Sequence, residues 1–338
     1  MVRVGIIGGS GFTGAELLRL AASHPDLDVE LATGDTQAGT AVATLYPSLA
    51  AAYPDLTYQP YEAADLAGLD LVFVGLPHGA SQAIVPELIG TVGHIVDLAA
   101  DFRLQDPALY PRWYGEPHSA PELLPQFAYG LPELFRSEIL AARHVATPGC
   151  YPTAAALALA PLVRAGAVET QGIIVDAASG VSGAGRPPKP NTTFCTVDED
   201  FTAYGLLDHR HTPEMEQVLG ASVLFTPHLA PMNRGILATC YARPTGTVST
   251  EALLDLHRAF YEDEPFVVVT DGSPSTKATL GSNCAHVTVR HDDRTGWVLA
   301  IAAIDNITKG ASGAAVQCAN LLLELPEATG LPIAGVYP

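Results

Sequence analysis

The chain has 338 residues, 48% hydrophobic and 16% charged, which is enough apolar material for two domains with separate cores. Its 17 basic and 36 acidic residues give a formal net charge of −19, which disfavours nucleic-acid and membrane-surface partners. No stretch approaches the roughly 20 apolar residues that span a bilayer, and the five scattered cysteines lack the spacing of a disulfide framework or zinc site. We therefore expect a cytoplasmic protein that binds no metal.

The first half of the chain predicts a parallel sheet covered by helices on both faces. Val2 to Gly8 is a β-rich apolar run, and residues 14–23 follow with helical spacing. Near-continuous apolar strands that alternate with helices are typical of such a sheet. Further β-rich runs occupy 28–33, 70–76, 94–99 and 144–147.

A glycine-rich turn lies directly between the first predicted strand and the first predicted helix. It has the spacing G-x-x-G-x-x-G, a variant of the dinucleotide fingerprint, in which backbone amides and a helix N-terminus approach a pyrophosphate. The alternative is a tight turn without a ligand. The predicted cofactor contacts in this turn are Gly8, Ser10, Gly11, Phe12, Thr13 and Gly14.

The second strand is expected to end near Thr33, with Asp35 two residues later. We predict both as cofactor contacts. An acidic residue at this place favours a free ribose 2′-hydroxyl and hence NAD, whereas the alternative for Asp35 is a solvated loop carboxylate.

From about residue 172 the sequence pattern changes to strand-like runs that are joined mostly by turns. The fold class is therefore α/β: a Rossmann-type dinucleotide-binding domain and a second α+β domain with a mixed or antiparallel sheet. We place the first domain at 1–149, completed by a helical segment at 309–338, and the second at 150–308, for catalysis, substrate binding and oligomerisation.

Cys150 is predicted to be a nucleophile. It follows Gly149, to which we assign the positive φ of a tight turn, and precedes Pro152, which suits the first position of a helix. The amides and dipole at a helix N-terminus stabilise a thiolate and lower the thiol pKa below its free value of about 8.5. The alternative is a buried small hydrophobe, which is our expectation for Cys195, Cys240, Cys284 and Cys318.

The segment from Asp208 to Glu214 is the densest polar cluster, and its histidines His209 and His211 are candidate proton partners for a thiol. Thr212 and Pro213 are expected to cap and begin a helix. A structural role for the histidines is the alternative, and a metal site is disfavoured because no further ligands stand at familiar spacing.

A second glycine-rich segment at 179–186, followed by Lys189, predicts a cradle for an anionic small-molecule substrate, with a flexible surface hairpin as the alternative. Several of the few basic residues fall in such loops, namely Arg186, Lys189, Arg210 and Arg234.

Nine segments in order along the chain closely resemble the N-acetyl-γ-glutamyl-phosphate reductase family of arginine biosynthesis, which is related to aspartate-semialdehyde dehydrogenases. They are GGSGFTG, GLPHGAS, DLAADFRL, YGLPEL, TPGCYPTA, SGVSGAGR, HRHTPEMEQ, FTPHLAPMNRGI and AIDNITKGASGAAVQ. The resemblance implies a semialdehyde dehydrogenase-like fold, a thioester on Cys150, and a histidine of HRH as acid/base, with His211 preferred to His209.

The resemblance also implies a homo-oligomer, dimer or tetramer, and NADP as cofactor. On the matching motifs we add Pro77, Ser182, Gly183 and Asn306 as cofactor contacts and Arg103 as a substrate contact. The chain departs from the family pattern at Thr147, where asparagine is usual, at Gly34-Asp35, where Ser-Arg is usual, and at Ala314, where glutamine is usual.

Two rival functions remain open. One is a sister reductase that acts on a carrier-bound aminoadipyl phosphate in lysine synthesis, although that group tends to have Asn-Ala where this chain has Tyr151-Pro152. The other is a nucleotide-sensing protein without enzymatic activity, which predicts an unreactive Cys150.

Overall fold

The computed structural model describes residues 1–337, which form two units. The first unit contains residues 1–148 and 311–331, and the second contains 149–310 and 332–337. We predicted instead that all of 309–338 completes the first domain; of this range Pro338 lies outside the described residues. Main-chain hydrogen bonds explain the difference, because Asn283 N–H donates to Pro332 O (2.8 Å) and Val336 N–H donates to Leu280 O (2.7 Å), both within the second unit.

The first unit is built on a six-stranded sheet in the order β2-β1-β3-β4-β6-β5, with every pairing parallel. Its strands are β1 (Val2–Ile7), β2 (Leu27–Ala32), β3 (Leu71–Val74), β4 (His94–Asp97), β5 (Phe127–Tyr129) and β6 (His144–Ala146). Its helices up to residue 148 are α1 (Phe12–Ala21), α2 (Val42–Leu45), α3 (Ala63–Leu66), α4 (Ser81–Leu88), α5 (Tyr110–Tyr114) and α6 (Pro132–Ala141).

The strand order of this sheet creates a crevice. The strand β1 lies between β2 and β3. The connection after β1 leads to β2 on one side, and the connection after β3 leads to β4 on the other side, so a crevice forms at the carboxyl ends of β1 and β3. Ligands of open α/β sheets bind at such a point. The strand β3 is buried along its whole length, as a parallel sheet covered on both faces requires. The predicted Rossmann-type domain is confirmed, although the short edge strand β5 was missed.

The second unit is built on a seven-stranded mixed sheet, in the order β11-β12-β13-β10-β7-β9-β8. Its strands are β7 (Ile173–Gly180), β8 (Thr202–Ala203), β9 (Val223–Ala230), β10 (Ile236–Ala242), β11 (Val267–Val269), β12 (Ala285–Asp292) and β13 (Trp297–Ile304). Its helices are α7 (Cys150–Arg164), α8 (Phe194–Val197), α9 (His211–Leu219), α10 (Thr250–Phe260) and α11 (Thr276–Thr279).

The helix α7 forms the centre of the core of the second unit. Its residues from Tyr151 to Leu162 are all buried, and it packs against β10, β12, β13, α9 and α10. A helix that is apolar on every side is stable only in such a position. The predicted second domain with a mixed sheet is confirmed, and its core fixes the direction of the α7 N-terminus.

The last helix, α12 (Gly313–Leu322), returns to the first unit, where it packs against α1, α6 and β4. Its buried Gln317 donates from Nε2 to Glu133 Oε1 (3.1 Å) and Glu327 Oε1 (2.7 Å). The described helices of residues 1–337 include none long and apolar enough to cross a membrane.

Candidate active site

Cys150 is the first residue of α7, as the sequence predicts, but the turn before it differs from the prediction. Gly149 is extended, with φ −67° and ψ 155°, so the expected positive φ is wrong. A Cβ atom on Gly149 would lie 2.3 Å from His211 Nε2, and glycine is therefore needed there for close packing. Pro152 is the third residue of the helix, where its missing N–H costs no hydrogen bond.

The first turn of α9 contacts the residue that precedes the thiol. The helix begins at His211, with Arg210 as N-cap, so Thr212 is not the cap and Pro213 is the third helical residue. Glu214 is fully buried, and its Oε1 accepts a hydrogen bond from Gly149 N–H at 2.7 Å. This role of Glu214 was not predicted, although the i, i+3 spacing from His211 puts both side chains on one face of the helix.

His209 and His211 have different environments. His209 Nδ1 accepts a hydrogen bond from His211 N–H at 3.1 Å and so satisfies an amide at the start of α9. Burial, with the charge of Arg210 second, lowers the pKa of His209 to about 4. Its ring packs edge-on against Tyr151 and Phe225. His209 is thus neutral at physiological pH and has a structural task.

The segment after β13, which continues into a π-helical turn at Thr308, also packs against Cys150. A Cβ atom on Gly310 would stand 2.8 Å from Cys150 Cβ, and Gly310 N–H donates to Asp305 O at 2.9 Å. The fully buried Asp305 also holds Arg234, whose Nε and Nη2 donate to its Oδ1 at 3.1 and 2.9 Å. The role of Asp305 was not predicted, although a carboxylate directly after a buried strand is a signal for such a role.

The second glycine-rich segment is not a flexible hairpin. The strand β7 ends at Gly180, and a short 3₁₀ helix follows over Val181–Ala184. The amides of residues 180, 181 and 182 donate to carbonyl oxygens at 235, 232 and 233. Asn306 is 2% exposed and ties this segment further, because its Oδ1 accepts from Gly235 N–H (2.7 Å) and its Nδ2 donates to Ser182 Oγ (3.0 Å). Gly183 is exposed.

The basic residues that we predicted as substrate contacts lie in different environments. Lys189 and Arg210 are exposed, and Arg186 is half-buried. Arg103, in the first unit, is 7% exposed, and its Nε and Nη2 donate to Thr147 O and Leu98 O, both at 2.8 Å. Arg103 thus joins the segments that follow β4 and β6. A substrate contact by any of these four residues stays a prediction.

The glycine-rich turn of the first unit fits a dinucleotide. Gly8 has φ +78°, and a Cβ atom on it would lie 2.3 Å from Gly75 O, so only glycine is accommodated. No side chain caps the N-terminus of α1 at Gly11, which leaves its first amides for an anion. Gly8 N–H donates to Thr33 Oγ1 (3.1 Å), and Ser10 Oγ donates to Gly34 O (3.2 Å), which fixes the turn beside the end of β2.

The other predicted cofactor contacts surround this crevice of the first unit. Phe12 and Thr13 are the first residues of α1, and Gly14 lies so close to Gly9 that a Cβ atom would stand 2.5 Å from its Cα. Asp35 is exposed directly after β2, and Pro77 is exposed in the turn after β3. Their contacts with a cofactor stay predictions.

The remaining cysteines do not form one class. Cys240, Cys284 and Cys318 are buried as expected, and burial raises the pKa of the Cys240 thiol. Cys195 is exposed, so its assignment as a buried thiol is wrong. It lies in α8, a helix of four residues none of which is buried.

Two family models match the chain. The semialdehyde dehydrogenase NAD binding domain matches residues 3–142, and the semialdehyde dehydrogenase dimerisation domain matches residues 150–306.

Curated relatives match over the full length. The N-acetyl-gamma-glutamyl-phosphate reductase of Symbiobacterium thermophilum is 50% identical, over 100% of this chain and 99% of the relative. The protein of the same name from Citrifermentans bemidjiense is 47% identical over 100% of both chains.

Solved structures show the same fold at low identity. Aspartate semialdehyde dehydrogenase II of Vibrio cholerae matches with a TM-score of 0.71 and 17% identity, over 96% of this chain and 98% of that chain. Aspartate semialdehyde dehydrogenase of Candida albicans, solved with NADP, matches with a TM-score of 0.71 and 14% identity, over 96% and 99%.

Proposed function

Because the chain belongs to the N-acetyl-γ-glutamyl-phosphate reductase family, we propose that it reduces N-acetyl-γ-glutamyl phosphate to the semialdehyde and phosphate, as a cytoplasmic enzyme of arginine biosynthesis. It is an NAD(P)-dependent oxidoreductase. The observation that carries the proposal is the position of Cys150, which starts α7 directly after the Gly149 that packs on His211 and which also packs against Gly310.

The chemistry on Cys150 divides into two steps. The thiolate attacks the acyl carbon, the C–S bond forms, and the C–O bond to phosphate breaks, so phosphate leaves with the electron pair. His211 takes the thiol proton and returns it to the departing phosphate. The amides at the start of α7 stabilise the oxyanion on the acyl carbon.

The second step reduces the thioester. When bound, the nicotinamide supplies the hydride. Collapse of the resulting thiohemiacetal releases the aldehyde and restores the Cys150 thiolate. Arg234 binds an anionic group of the substrate. Asp305 accepts hydrogen bonds from Nε and Nη2 of Arg234 and so fixes the direction of this guanidinium.

The dinucleotide binds to the first unit at the glycine-rich turn. The resemblance to the family favours NADPH as the reductant, with NADH as the alternative because the Asp35 carboxylate follows β2. We expect Asp35→Ser to raise the preference for NADPH over NADH, since it removes the charge that repels a 2′-phosphate.

We also propose a homodimer or homotetramer. The match to the dimerisation domain supports it, as do exposed large apolar side chains in the segment 194–207 of the second unit. These are Phe194, Phe201, Leu206 and Leu207. Native mass spectrometry checks the proposal, and a purely monomeric chain would contradict it.

A steady-state assay in the reverse direction tests the function. N-acetylglutamate semialdehyde and phosphate are supplied with NADP or NAD, and reduced nicotinamide is followed by its absorbance. We expect phosphate-dependent turnover that Cys150→Ala abolishes, while Cys195→Ala, which removes an exposed thiol, retains it. Turnover with only a carrier-linked aminoadipyl substrate would favour the lysine pathway, and full activity of Cys150→Ala would refute the mechanism.

A further inference from the structure

A row of buried polar side chains lies in the first unit at the carboxyl ends of β3 and β4. Ser81 begins α4, Asp97 ends β4, and Asp101 follows four residues later. Each is 0% exposed. Ser81 Oγ lies 3.1 Å from Asp97 Oδ2 and 2.9 Å from Asp101 Oδ2, so one hydroxyl group bridges two carboxyl groups.

Asp101 is surrounded by donors. Its Oδ1 accepts from Gly79 N–H (2.9 Å) and lies 2.7 Å from His78 Nδ1, and its Oδ2 accepts from Gln82 N–H (3.0 Å). Main-chain N–H groups can only donate, which suits an ionised carboxylate. Although burial works to raise the pKa of Asp101, these hydrogen bonds lower it below its usual range.

Asp97 has fewer donors. Its Oδ1 accepts from Ala99 N–H at 3.0 Å, and its Oδ2 meets Ser81. A hydroxyl group has one proton, so Ser81 donates to one carboxyl group at a time. If that acceptor is the ionised Asp101, the contact between Asp97 and Ser81 is a hydrogen bond only when Asp97 supplies the proton. Burial and the neighbouring charge of Asp101 raise the pKa of Asp97 to about 7, which agrees.

The other charged or titratable side chains near the pair leave this assignment intact. Arg103 lowers the pKa of Asp97, although less than burial raises it. Glu116 Oε1 is 3.9 Å from His78 Nε2, and its side chain is 55% exposed. His118 Nε2 bonds to the main-chain oxygen of Asp101 (2.8 Å), and His144 Nδ1 on β6 accepts from Ile95 N–H.

We propose that Asp97 remains a neutral carboxylic acid in the folded protein under mildly acidic conditions and that Asp97, Ser81, Asp101 and His78 form a hydrogen-bond relay in which both ends donate towards Asp101. Asp97 donates to Ser81, Ser81 donates to Asp101, and Asp101 accepts from His78 Nδ1–H. The relay holds the turn at residues 75–80, which follows β3 at the crevice of the sheet. Its role in positioning this turn for the dinucleotide rests on the proposed function.

Infrared spectroscopy locates the proton without any ligand. At about pH 6, below the pH near which Asp97 titrates, the difference spectrum between wild type and Asp97→Asn should contain the C=O band of a protonated carboxylic acid. Asp55→Asn, which removes an exposed carboxyl group, is the control and should not affect that band. If the band is absent, or is removed by Asp101→Asn and not by Asp97→Asn, the proposal is wrong.

The pH dependence of unfolding is a second, independent test. Asn preserves the geometry at position 97, because its amide can donate to Ser81 and its oxygen can accept from Ala99 N–H. Since burial in the folded state raises the pKa of Asp97 to about 7, the unfolded state releases this proton at a lower pH than the folded state does, so wild type should lose stability as pH rises from about 4 to about 7. The unfolding constant of wild type should therefore rise relative to that of Asp97→Asn by about tenfold per pH unit. Parallel curves for the two proteins would overturn the assignment.

Dinucleotide titrations test the positioning role. As pH is raised above about 7, wild type loses the relay proton while Asp97→Asn keeps a donor at this place. The Kd of wild type for NADPH should then rise relative to that of the variant, and a constant ratio would contradict the positioning role. If wild type binds neither NADPH nor NADH, the proposed function fails, whereas the infrared band still decides where the proton lies.

Discussion

At the scale of the residue, the two histidines of the HRH motif separate by their hydrogen bonds. His209 uses Nδ1 to accept the His211 amide, and burial lowers its pKa to about 4, so it is a poor proton carrier at neutral pH. His211 lies with Nε2 against Gly149, the residue before the thiol. We therefore assign the acid/base role in the proposed reaction to His211.

Replacement of each histidine by asparagine tests this assignment. His211→Asn removes the proton carrier and should lower kcat by about 10²- to 10⁴-fold. His209→Asn should retain most activity, because an asparagine oxygen can accept the amide two residues later. Steady-state kinetics and a thermal melt of both variants provide the comparison, and equal losses of kcat in two folded variants would refute the assignment.

Around Cys150, local features of the site could be predicted from the sequence, but contacts between distant residues could not. The helix start at Cys150 was predictable because the Gly-Cys and proline pattern is local. The reason for Gly149 was not, since it depends on a histidine ring 62 positions later in the chain. For the same reason the buried carboxylate of Glu214, which accepts the Gly149 amide, gave only a weak signal.

At the scale of the element, the loop after β13 joins several parts of the second unit. The Oδ1 atom of Asp305 accepts from Arg234 and from the amides of Ile307 and Thr308, and its Oδ2 accepts from Gly281 N–H. Arg234 Nη2 also donates to Thr308 Oγ1 at 2.8 Å. One carboxylate thus fixes both the segment that leads to Gly310 and the guanidinium group of Arg234, which we propose binds the substrate anion.

Asp305→Asn should weaken the orientation of Arg234. An amide keeps the size of the side chain but removes the charge that orients Arg234, and its nitrogen cannot accept the Gly281 N–H that Oδ2 accepts in the wild type, so we expect the KM for phosphate in the reverse reaction to rise about tenfold. Asp293→Asn, whose carboxylate is 95% exposed, is the matched control and should leave KM unchanged. A variant that folds with an unchanged KM would show that Arg234 does not hold the anion.

At the scale of the whole molecule, the alternation of apolar runs was enough to predict a parallel sheet followed by a mixed one. Periodicity reports which strands are buried, and those patterns are long and regular in β7, β10, β12 and β13. The short strands β5 and β8 were missed because neither forms a β-rich apolar run of the kind that predicted β6, which is also short. The return of residues 332–337 to the second unit depends on main-chain pairing, which side-chain patterns do not encode.

The proposed mechanism requires that an acyl group be attached to the sulfur of Cys150 during turnover. The most direct measurement is the mass of the intact chain after it is mixed with N-acetyl-γ-glutamyl phosphate in the absence of dinucleotide, followed by peptide mapping. We predict a gain of one N-acetylglutamyl group on the peptide that contains Cys150, released by hydroxylamine and absent from Cys150→Ser. Turnover without any such adduct, or an adduct on another residue in a fully active enzyme, would contradict this mechanism.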